Sequence, residues 1–262
     1  MKLAAWNVNS LKVRLPHLLE WLLTEDAPDI LCLQELKLEA PNFPAAALRE
    51  AGYASVFAGQ KTYNGVAILF REGFGEPKDV LKGNPCFPDD PQQRLIAATI
   101  GGIRVISAYF PNGEAVGSEK YAYKLAWMQA LCGHLADELR RFPELALCGD
   151  FNIAPEDRDV YDPERWADGI LCSWAERRAF ADLCALGLSD SFRLFPQPAQ
   201  SFSWWDYRQG SFQKNHGLRI DHILLSKPLA ARAMASGIQR ELRGFERPSD
   251  HAPVWTTCSE AP

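Results

Sequence analysis

The sequence lacks a long hydrophobic run. No apolar stretch in its 262 residues approaches the eighteen or so that a membrane-spanning helix needs. The first residues read as a strand (2–6) and lack the basic and then apolar pattern of an export signal. We therefore expect a cytoplasmic protein that does not insert into a membrane.

The cysteines do not follow a pattern that is typical of disulfides or of zinc sites. The seven cysteines are an odd number, contain no C-x-x-C pair, and in several cases lie inside apolar runs, where cysteine acts as a small hydrophobe. We expect neither disulfides nor a zinc site.

Linkers, low-complexity tracts and internal repeats are also missing. With 47% hydrophobic and 23% charged residues, the chain has enough apolar material for a large core, which excludes a disordered protein. We predict one domain over residues 1–262.

Positive charge is not in excess. The formal net charge of -5 excludes a protein that coats nucleic acid through bulk positive charge. Local charge can still differ, and acidic residues grouped around a divalent cation would contribute to this negative balance.

Short apolar runs alternate with helical patterns along the chain. Adjacent strands at 95–100 and 103–110, joined by Gly101-Gly102, indicate an antiparallel hairpin. The pattern favours an α/β fold in which two mixed sheets pack face to face with helices outside. Strands are predicted at residues 2–6, 30–33, 66–70, 95–100, 104–109, 145–148, 220–225 and 254–257, and helices at 13–24, 44–51, 119–141, 175–186 and 228–233.

Polar side chains follow several of these strands. Asp150 and Asn152 close the buried run at 145–148, and Glu35 closes the run at 30–33. Catalytic groups on sheets tend to lie at such strand ends, and a carboxylate there suits a hard divalent ion such as Mg²⁺. A structural salt bridge is the alternative for Glu35, and turn formation is the alternative for Asn9 and Asn112, which follow other strands.

An imidazole and two carboxylates complete the polar set. Asp221 lies early in an apolar strand, where an unpaired carboxylate is costly to bury, so it needs a partner. His251, beside Asp250 on a short loop, is the obvious candidate, because a carboxylate fixes the tautomer of an imidazole and raises its basicity. This pair could bind a phosphate diester, whereas we expect His222 to be a packing or surface residue.

The segment 201–208 is unusually aromatic. Its rings could stack on a base or fill the space of a missing one, or they could form a core-facing strand.

Taken together, these segments make the sequence resemble the exonuclease III family of abasic-site endonucleases, in the endonuclease/exonuclease/phosphatase superfamily. The match runs nearly end to end, in the family's order. The segments are Trp6-Asn7-Val8-Asn9, Gln34-Glu35-Leu36-Lys37, Tyr109 with Pro111-Asn112, Gly149-Asp150-Phe151-Asn152, Trp204-Trp205-Asp206-Tyr207-Arg208, Arg219-Ile220-Asp221 and Ser249-Asp250-His251-Ala252-Pro253.

The resemblance implies a four-layer, DNase I-like α/β sandwich that hydrolyses phosphodiesters in duplex DNA with Mg²⁺, or Mn²⁺ as a substitute. Members incise 5' to abasic sites, degrade strands in the 3'–5' direction and remove blocking groups from 3' ends. We expect a monomer that binds double-stranded DNA with abasic sites or blocked 3' ends.

The resemblance also implies roles for individual residues. Asp150, supported by Asn152, would activate the attacking water or protonate the leaving oxygen. His251, paired with Asp221, would bind a phosphoryl oxygen. The metal site would comprise Glu35, Asn7, Asn9 and Asp250, and Tyr109 and Asn112 would assist at the phosphoryl group.

The chain departs from the family pattern at two motifs, and its loop 166–173 lies where loops at the substrate edge differ between members of the family. Gln92-Gln93-Arg94 replaces Glu-Gly-Arg, which puts the role of that loop in doubt, although Arg94 stays a candidate for substrate binding. Leu218 stands where an aromatic is common, so Trp204 would form most of the wall of a sugar pocket beside it. Small residues in the loop 166–173, Ala167 and Gly169, favour an open pocket.

Two other functions remain as alternatives. The same fold hydrolyses phosphoinositides and sphingomyelin in other members of the superfamily. A catalytically silent nucleic-acid-binding relative is the second alternative, but it would normally have lost a group such as Glu35, Asp150 or His251, and all three are present.

Overall fold

Two six-stranded sheets form the centre of the computed structural model, which describes residues 1–260. The first has the strand order β11-β12-β1-β2-β4-β3, and the second has the order β5-β6-β7-β8-β10-β9. In chain order, the strands are β1 (Lys2–Asn7), β2 (Ile30–Gln34), β3 (Tyr53–Ala58), β4 (Val66–Arg71), β5 (Lys78–Lys82), β6 (Leu95–Ile100), β7 (Ile103–Tyr109), β8 (Leu145–Asp150), β9 (Leu188–Asp190), β10 (Asp221–Ser226), β11 (Ala233–Ile238) and β12 (Val254–Cys258).

Six α-helices cover the outer faces and connections of the described chain. They are α1 (Leu11–Leu22), α2 (Ala45–Glu50), α3 (Glu119–Arg141), α4 (Pro163–Trp166), α5 (Trp174–Ala185) and α6 (Lys227–Ala230). None of the helices within residues 1–260 has both the length and the apolar character needed to cross a membrane.

Three apolar layers hold the sheets and helices together. Side chains such as Ile68 of the first sheet and Val105 of the second fill the space between the sheets. Leu18 of α1 packs on the outer face of the first sheet, and Trp127 of α3 packs on the outer face of the second. Strands covered on both faces read as continuous apolar runs, as β2 and β8 do. The predicted four-layer sandwich is confirmed.

Most ends of the predicted helices lie within two residues of those in the structure. Helix α3 has the predicted bounds, and the Ser118 hydroxyl caps it by accepting a hydrogen bond from the Tyr121 amide at 3.1 Å. The helix predicted at 228–233 was wrong at its end: the helix stops at Ala230, and Ala233 begins β11.

Four strands were not predicted, and they are the four edges of the two sheets: β3, β5, β9 and β11. Edge strands contact a partner strand on one side only, so their sequences need less apolar character. Most of β5 is exposed, and β9 is only three residues long.

Parallel pairing brings the carboxyl ends of central strands together. β1 pairs in parallel with β2, so that Asn7 lies opposite Gln34, and β7 pairs in parallel with β8, so that Tyr109 lies opposite Asp150. Antiparallel β10 sets Asp221 opposite Asp150 as well. Because β1 packs against β8 and β10 across the two sheets, the polar strand ends meet at one edge of the sandwich.

Gly149 permits the close approach of β7 and β8 just before Asp150. Its φ is 151°, and a β-carbon there would lie 1.9 Å from the carbonyl oxygen of Ala108. We predict that Gly149→Ala lowers the free energy of unfolding by at least about 3 kcal/mol, because backbone must move to admit the methyl group. Urea denaturation measures the change. Gly73→Ala, at a glycine with open space around its added β-carbon, is the control, and a loss below about 1 kcal/mol in Gly149→Ala would contradict the prediction.

Candidate active site

A buried amide lies between two carboxylates that belong to different sheets. Asn7, at the end of β1, donates from Nδ2 to Glu35 Oε1 at 2.8 Å and to Asp150 Oδ2 at 2.9 Å. Its Oδ1 accepts a hydrogen bond from the Asn9 amide at 2.9 Å, which fixes the orientation of the side chain. The two carboxylates are therefore held at a set separation.

Glu35 lies just beyond β2 on a strained piece of backbone. Both Glu35 and Lys37 have a φ of 53°, in the left-handed region that L-residues seldom adopt. The Lys37 ammonium contacts Glu35 Oε2 at 2.8 Å and Asn9 Oδ1 at 2.5 Å. One oxygen of Glu35 thus contacts a cation and the other contacts Asn7.

Asp150 is held from several sides at the end of β8. Its Oδ1 accepts from the Asn152 backbone amide at 2.9 Å, and Oδ2 accepts from the Asn152 side chain at 3.3 Å. Asn112 in turn donates to Asn152 Oδ1 at 3.1 Å. Burial raises the pKa of Asp150, the positive charge of His251 opposes that rise, and the net pKa is about 7.

His251 pairs with Asp221 as predicted. Its Nδ1 lies 2.9 Å and 3.1 Å from the two oxygens of Asp221, and its Nε2 lies 3.8 Å from Asp150 Oδ2. Burial by itself lowers the pKa of the imidazole, but the charges of Asp221 and Asp150 outweigh it and raise the pKa to about 10. His251 is therefore an imidazolium at neutral pH, with Nδ1 donating to Asp221.

Asn9 and Asp250 form a second pair beside this group. Asn9 Nδ2 donates to Asp250 Oδ1 at 2.9 Å, and Trp204 Nε1 donates to Asp250 Oδ2 at 3.0 Å. Burial opposes ionisation of Asp250, but His251 and these hydrogen bonds lower its pKa below the ordinary value. Of the four residues predicted around the metal, Asn7 and Glu35 thus lie with Asp150, and Asn9 and Asp250 lie alongside.

Tyr109 lies beside Asp150 on the neighbouring strand, and Arg94 lies next to Tyr109. Burial of the phenol, with Glu35 and Asp150 nearby, raises the pKa of Tyr109 well above its usual value, so the hydroxyl stays a donor. The Arg94 guanidinium lies 5.0 Å from the centre of the Tyr109 ring and donates to Gln92 Oε1 at 3.1 Å. Both residues line an open cleft of about 670 Å³ together with Asn112.

Trp204 and Leu218 have different surroundings. Leu218 is fully buried among Val160, Leu171 and other apolar side chains, so it reaches no substrate directly, and its backbone pairs with that of Trp204. Trp204 is half-buried and lines a cavity of about 240 Å³ with Trp166 and other residues. Ala167, taken as a sign of an open pocket, is exposed and lines a different cleft.

The cluster has donors that suit a metal ion. Glu35, Asp150 and His251 each offer one ligand atom, and these atoms lie within 4.8 Å of one another. Because a protonated imidazole cannot ligate, the oxygens of the carboxylates are the better donors, and they suit a hard divalent cation.

Several polar residues of the site were not assigned a role from the sequence. Ser203 Oγ donates to Asp221 Oδ2 at 2.6 Å, and Ser249 Oγ donates to the Asn7 carbonyl at 2.6 Å. Lys37 lies within the motif Gln34-Glu35-Leu36-Lys37, but no role was predicted for it. His222, expected to pack, does so: it is buried, and its Nε2 lies 2.9 Å from the Ile153 carbonyl oxygen.

Two mixed sheets whose polar strand ends hold paired carboxylates, amides and an imidazolium define a hydrolase of the DNase I-like class. Residues 4–251 match the model of the endonuclease/exonuclease/phosphatase family. The sequence is 39% identical to exodeoxyribonuclease III of Haemophilus influenzae, over 97% of this chain and 98% of the relative. It is 33% identical to an exodeoxyribonuclease of Bacillus subtilis, again over 97% and 98%.

Solved structures of nucleases and phosphatases are similar to this chain as well. The 3' phosphatase NExo from Neisseria, bound to a product DNA hairpin, superposes with a TM-score of 0.96 at 51% identity, covering 99% of this chain and 100% of that one. An AP endonuclease from Archaeoglobus fulgidus gives a TM-score of 0.92 at 38% identity, with the same coverage. This chain belongs to the endonuclease/exonuclease/phosphatase family, among its exonuclease III-type DNA repair nucleases, and is a phosphodiester hydrolase.

The His251 charge provides a test of the site's electrostatics. In metal-free protein, we predict that the imidazole stays protonated up to about pH 9, and that Asp221→Asn lowers its pKa by about one to three units. NMR titration of the ring protons measures this. His222, whose pKa is lowered to about 3 by burial and by Arg219, should stay neutral from pH 5 to 9 in both proteins.

The same shift sets a pH dependence of stability. Because the folded pKa exceeds the unfolded value of about 6.5, the contact stabilises the fold fully below that pH and loses its contribution as the pH rises towards 10. Titration of His251 near pH 6.5 in the wild-type protein would contradict the assignment.

Proposed function

We propose that this chain is a Mg²⁺-dependent nuclease that incises duplex DNA 5' to abasic sites and also removes nucleotides and blocking groups from 3' ends. Mn²⁺ would substitute for Mg²⁺, and the chain would act as a single domain and a monomer. The observation that carries the proposal is the convergence of Glu35, Asp150 and His251 around Asn7. The functions that name the relatives, exodeoxyribonuclease III, 3' phosphatase and AP endonuclease, support the choice of DNA.

Glu35 and Asp150 would hold the cation, with Asn7 holding the two carboxylates close together through its hydrogen bonds to both. When bound, the ion would neutralise charge on the phosphoryl group, an effect worth several kcal/mol. Asn9 and Asp250 would support this site from the side, through the contact of Asn9 with Lys37.

His251 would bind the phosphoryl oxygen. Its Nδ1 is engaged by Asp221, so Nε2 is the nitrogen left to donate, and its charge opposes the charge that develops during attack. Tyr109 and Asn112, which line the adjoining cleft, would add donors. Removal of one such preorganised donor typically costs about 10²- to 10³-fold in rate.

Asp150 would exchange the proton of the reaction. The pKa of about 7 belongs to the metal-free site, and a bound cation would lower it, so the carboxylate would be ionised at neutral pH; it could accept a proton from water or, once protonated, return one to the leaving oxygen, and Asn152 keeps it aimed. Positioned acid–base catalysis of this kind contributes about 10²- to 10⁴-fold.

Aromatic and basic side chains would select the substrate. Trp204 adjoins Asp250 through its indole N–H, and the cavity of about 240 Å³ that it lines with Trp166 would receive a sugar that has lost its base. Arg94, beside Tyr109 in the cleft of about 670 Å³, would contact the DNA backbone. Leu218 would act only by supporting Trp204 from behind.

The replacement Asp150→Asn tests the proposal. We predict a loss of turnover of about 10³-fold or more with DNA affinity within a few-fold of wild type, because the carboxylate would exchange a proton and hold the cation but would not itself contact the DNA. Three labelled duplexes, with an internal abasic site, a 3'-phosphate or a recessed 3' end, report each activity separately.

The exposed Asp157→Asn in the turn after β8 is the matched control and should retain full activity. Wild-type trimming of 3' ends without nicking of the abasic duplex would remove the abasic part of the proposal. Release of phosphate from inositol phosphates, without action on any duplex, would replace DNA as the substrate.

Cation binding should be linked to the proton on Asp150. Because its pKa is about 7 without a cation, Mg²⁺ must displace a proton at lower pH, so the apparent affinity should rise from pH 5 to about 7 and then level off. Isothermal titration calorimetry in buffers of different ionisation enthalpy measures the released proton. Glu35→Ala should weaken binding at every pH, and an affinity that is constant over pH 5–7.5 would contradict the linkage.

A further inference from the structure

An ion pair with no exposure to solvent lies directly behind the site. Lys124 of α3 and Glu176 of α5 are both 0% exposed, and the ammonium contacts Glu176 Oε1. Taking two charges out of water costs several kcal/mol per ion unless further hydrogen bonds satisfy them. The other contacts of this pair therefore show what it holds in place.

The Lys124 ammonium holds the backbone of two asparagines of the site, Asn152 and Asn112. Lys124 Nζ donates to the Asn152 carbonyl at 2.7 Å and to the Asn112 carbonyl at 3.2 Å. Asn152 has a φ of 52°, in the left-handed region, and its amide is the donor that orients Asp150 Oδ1. The conformation that aims Asp150 is thus fixed from behind by Lys124.

The Glu176 carboxylate holds the end of the loop 166–173. Glu176 Oε1 accepts from the Leu171 amide at 3.1 Å, and Oε2 accepts from the Ser173 amide at 3.1 Å and hydroxyl at 2.6 Å. Leu171 has a φ of 70°, which is unfavourable for leucine. Leu171 also packs against Leu218, which lies behind Trp204.

We propose that Lys124, together with Glu176, is a positioning residue. The pair aligns the loop 166–173 with the polar group formed by Asp150, Asn152 and Asn112. The inference rests on the proposed function of Asp150 and Asn152. A displacement of about 1 Å in such an alignment can reduce the rate by about 10²-fold. Lys124 itself reaches no substrate, because it is fully buried.

A matched ion pair on the same helix separates positioning from simple stabilisation. Arg104 and Glu138 are each 2% exposed, and Glu138 belongs to α3, as Lys124 does. Arg104 also donates to a backbone carbonyl, that of Asp79, at 2.6 Å. It lies opposite Leu145 in the parallel pair, at the far end from Tyr109 and Asp150.

The double variant Lys124→Met/Glu176→Gln is the main test, because it leaves no uncompensated buried charge. We expect kcat on the abasic duplex to fall about 10- to 100-fold with KM within about threefold of wild type. Arg104→Met/Glu138→Gln should lower Tm by a similar amount and keep kcat within about twofold. Assays are run at a temperature at which circular dichroism shows each variant to be folded.

A folded Lys124→Met/Glu176→Gln variant with wild-type kcat would overturn the inference, and so would an equal loss of kcat in the control pair. If the double variant does not fold, Lys124→Arg tests the same contacts. It keeps the positive charge beside Glu176 but moves the donors that hold the Asn152 and Asn112 carbonyls, so kcat should fall about three- to tenfold, and an unchanged kcat would be contrary evidence.

Asp150→Asn, assayed in parallel, distinguishes the two proposals. Full activity in Asp150→Asn would remove the proposed function itself. An inactive Asp150→Asn beside a fully active, folded Lys124→Met/Glu176→Gln would remove only the positioning role.

Discussion

The contact on which the rest of the site depends is the side-chain amide of Asn7 between Glu35 and Asp150. Asn7 and Asp150 end central strands of different sheets, and Glu35 follows a third. Two ionised carboxylates that contact the same amide repel each other. The fully buried amide of Asn7 donates a hydrogen bond to each and so holds them together. The packing of the two sheets is thereby converted into a defined separation between two oxygen donors.

Charge around this amide is unbalanced in a way that favours a cation. The carboxyl groups of Glu35, Asp150, Asp221 and Asp250 converge, whereas the cations among them are His251 and Lys37. The Nδ1 of His251 donates to Asp221, and burial, with a smaller contribution from the charge of Asp221, raises the pKa of Asp150. A divalent ion would stabilise the ionised form of Asp150, which links metal binding, proton transfer and phosphate binding in one cluster.

Much of this arrangement could be predicted from the sequence, and the failures have physical causes. Central strands are buried on both faces and read as apolar runs, so Asp150 and Glu35 could be placed at strand ends, but the edge strands carry no such pattern. The sequence marks Lys124 only as one of several basic residues that could flank the site, and its buried position was not predicted, although it lies three residues from both Tyr121 and Trp127 on the buried face of α3. A charged residue on the apolar face of a helix indicates a buried charge that needs a partner, and this signal could have identified Lys124. The Asn7 contact depends on how two sheets pack, which no local pattern specifies.

Anomalous diffraction from crystals soaked in Mn²⁺ is the most direct measurement of whether the carboxylates of the two sheets share one cation. A single strong peak bonded to oxygens of both Glu35 and Asp150, at roughly the 2.0–2.2 Å typical of oxygen ligands to a small divalent ion, is the predicted result. A peak bound by Asn9 and Asp250 alone, or no peak between Glu35 and Asp150, would contradict it.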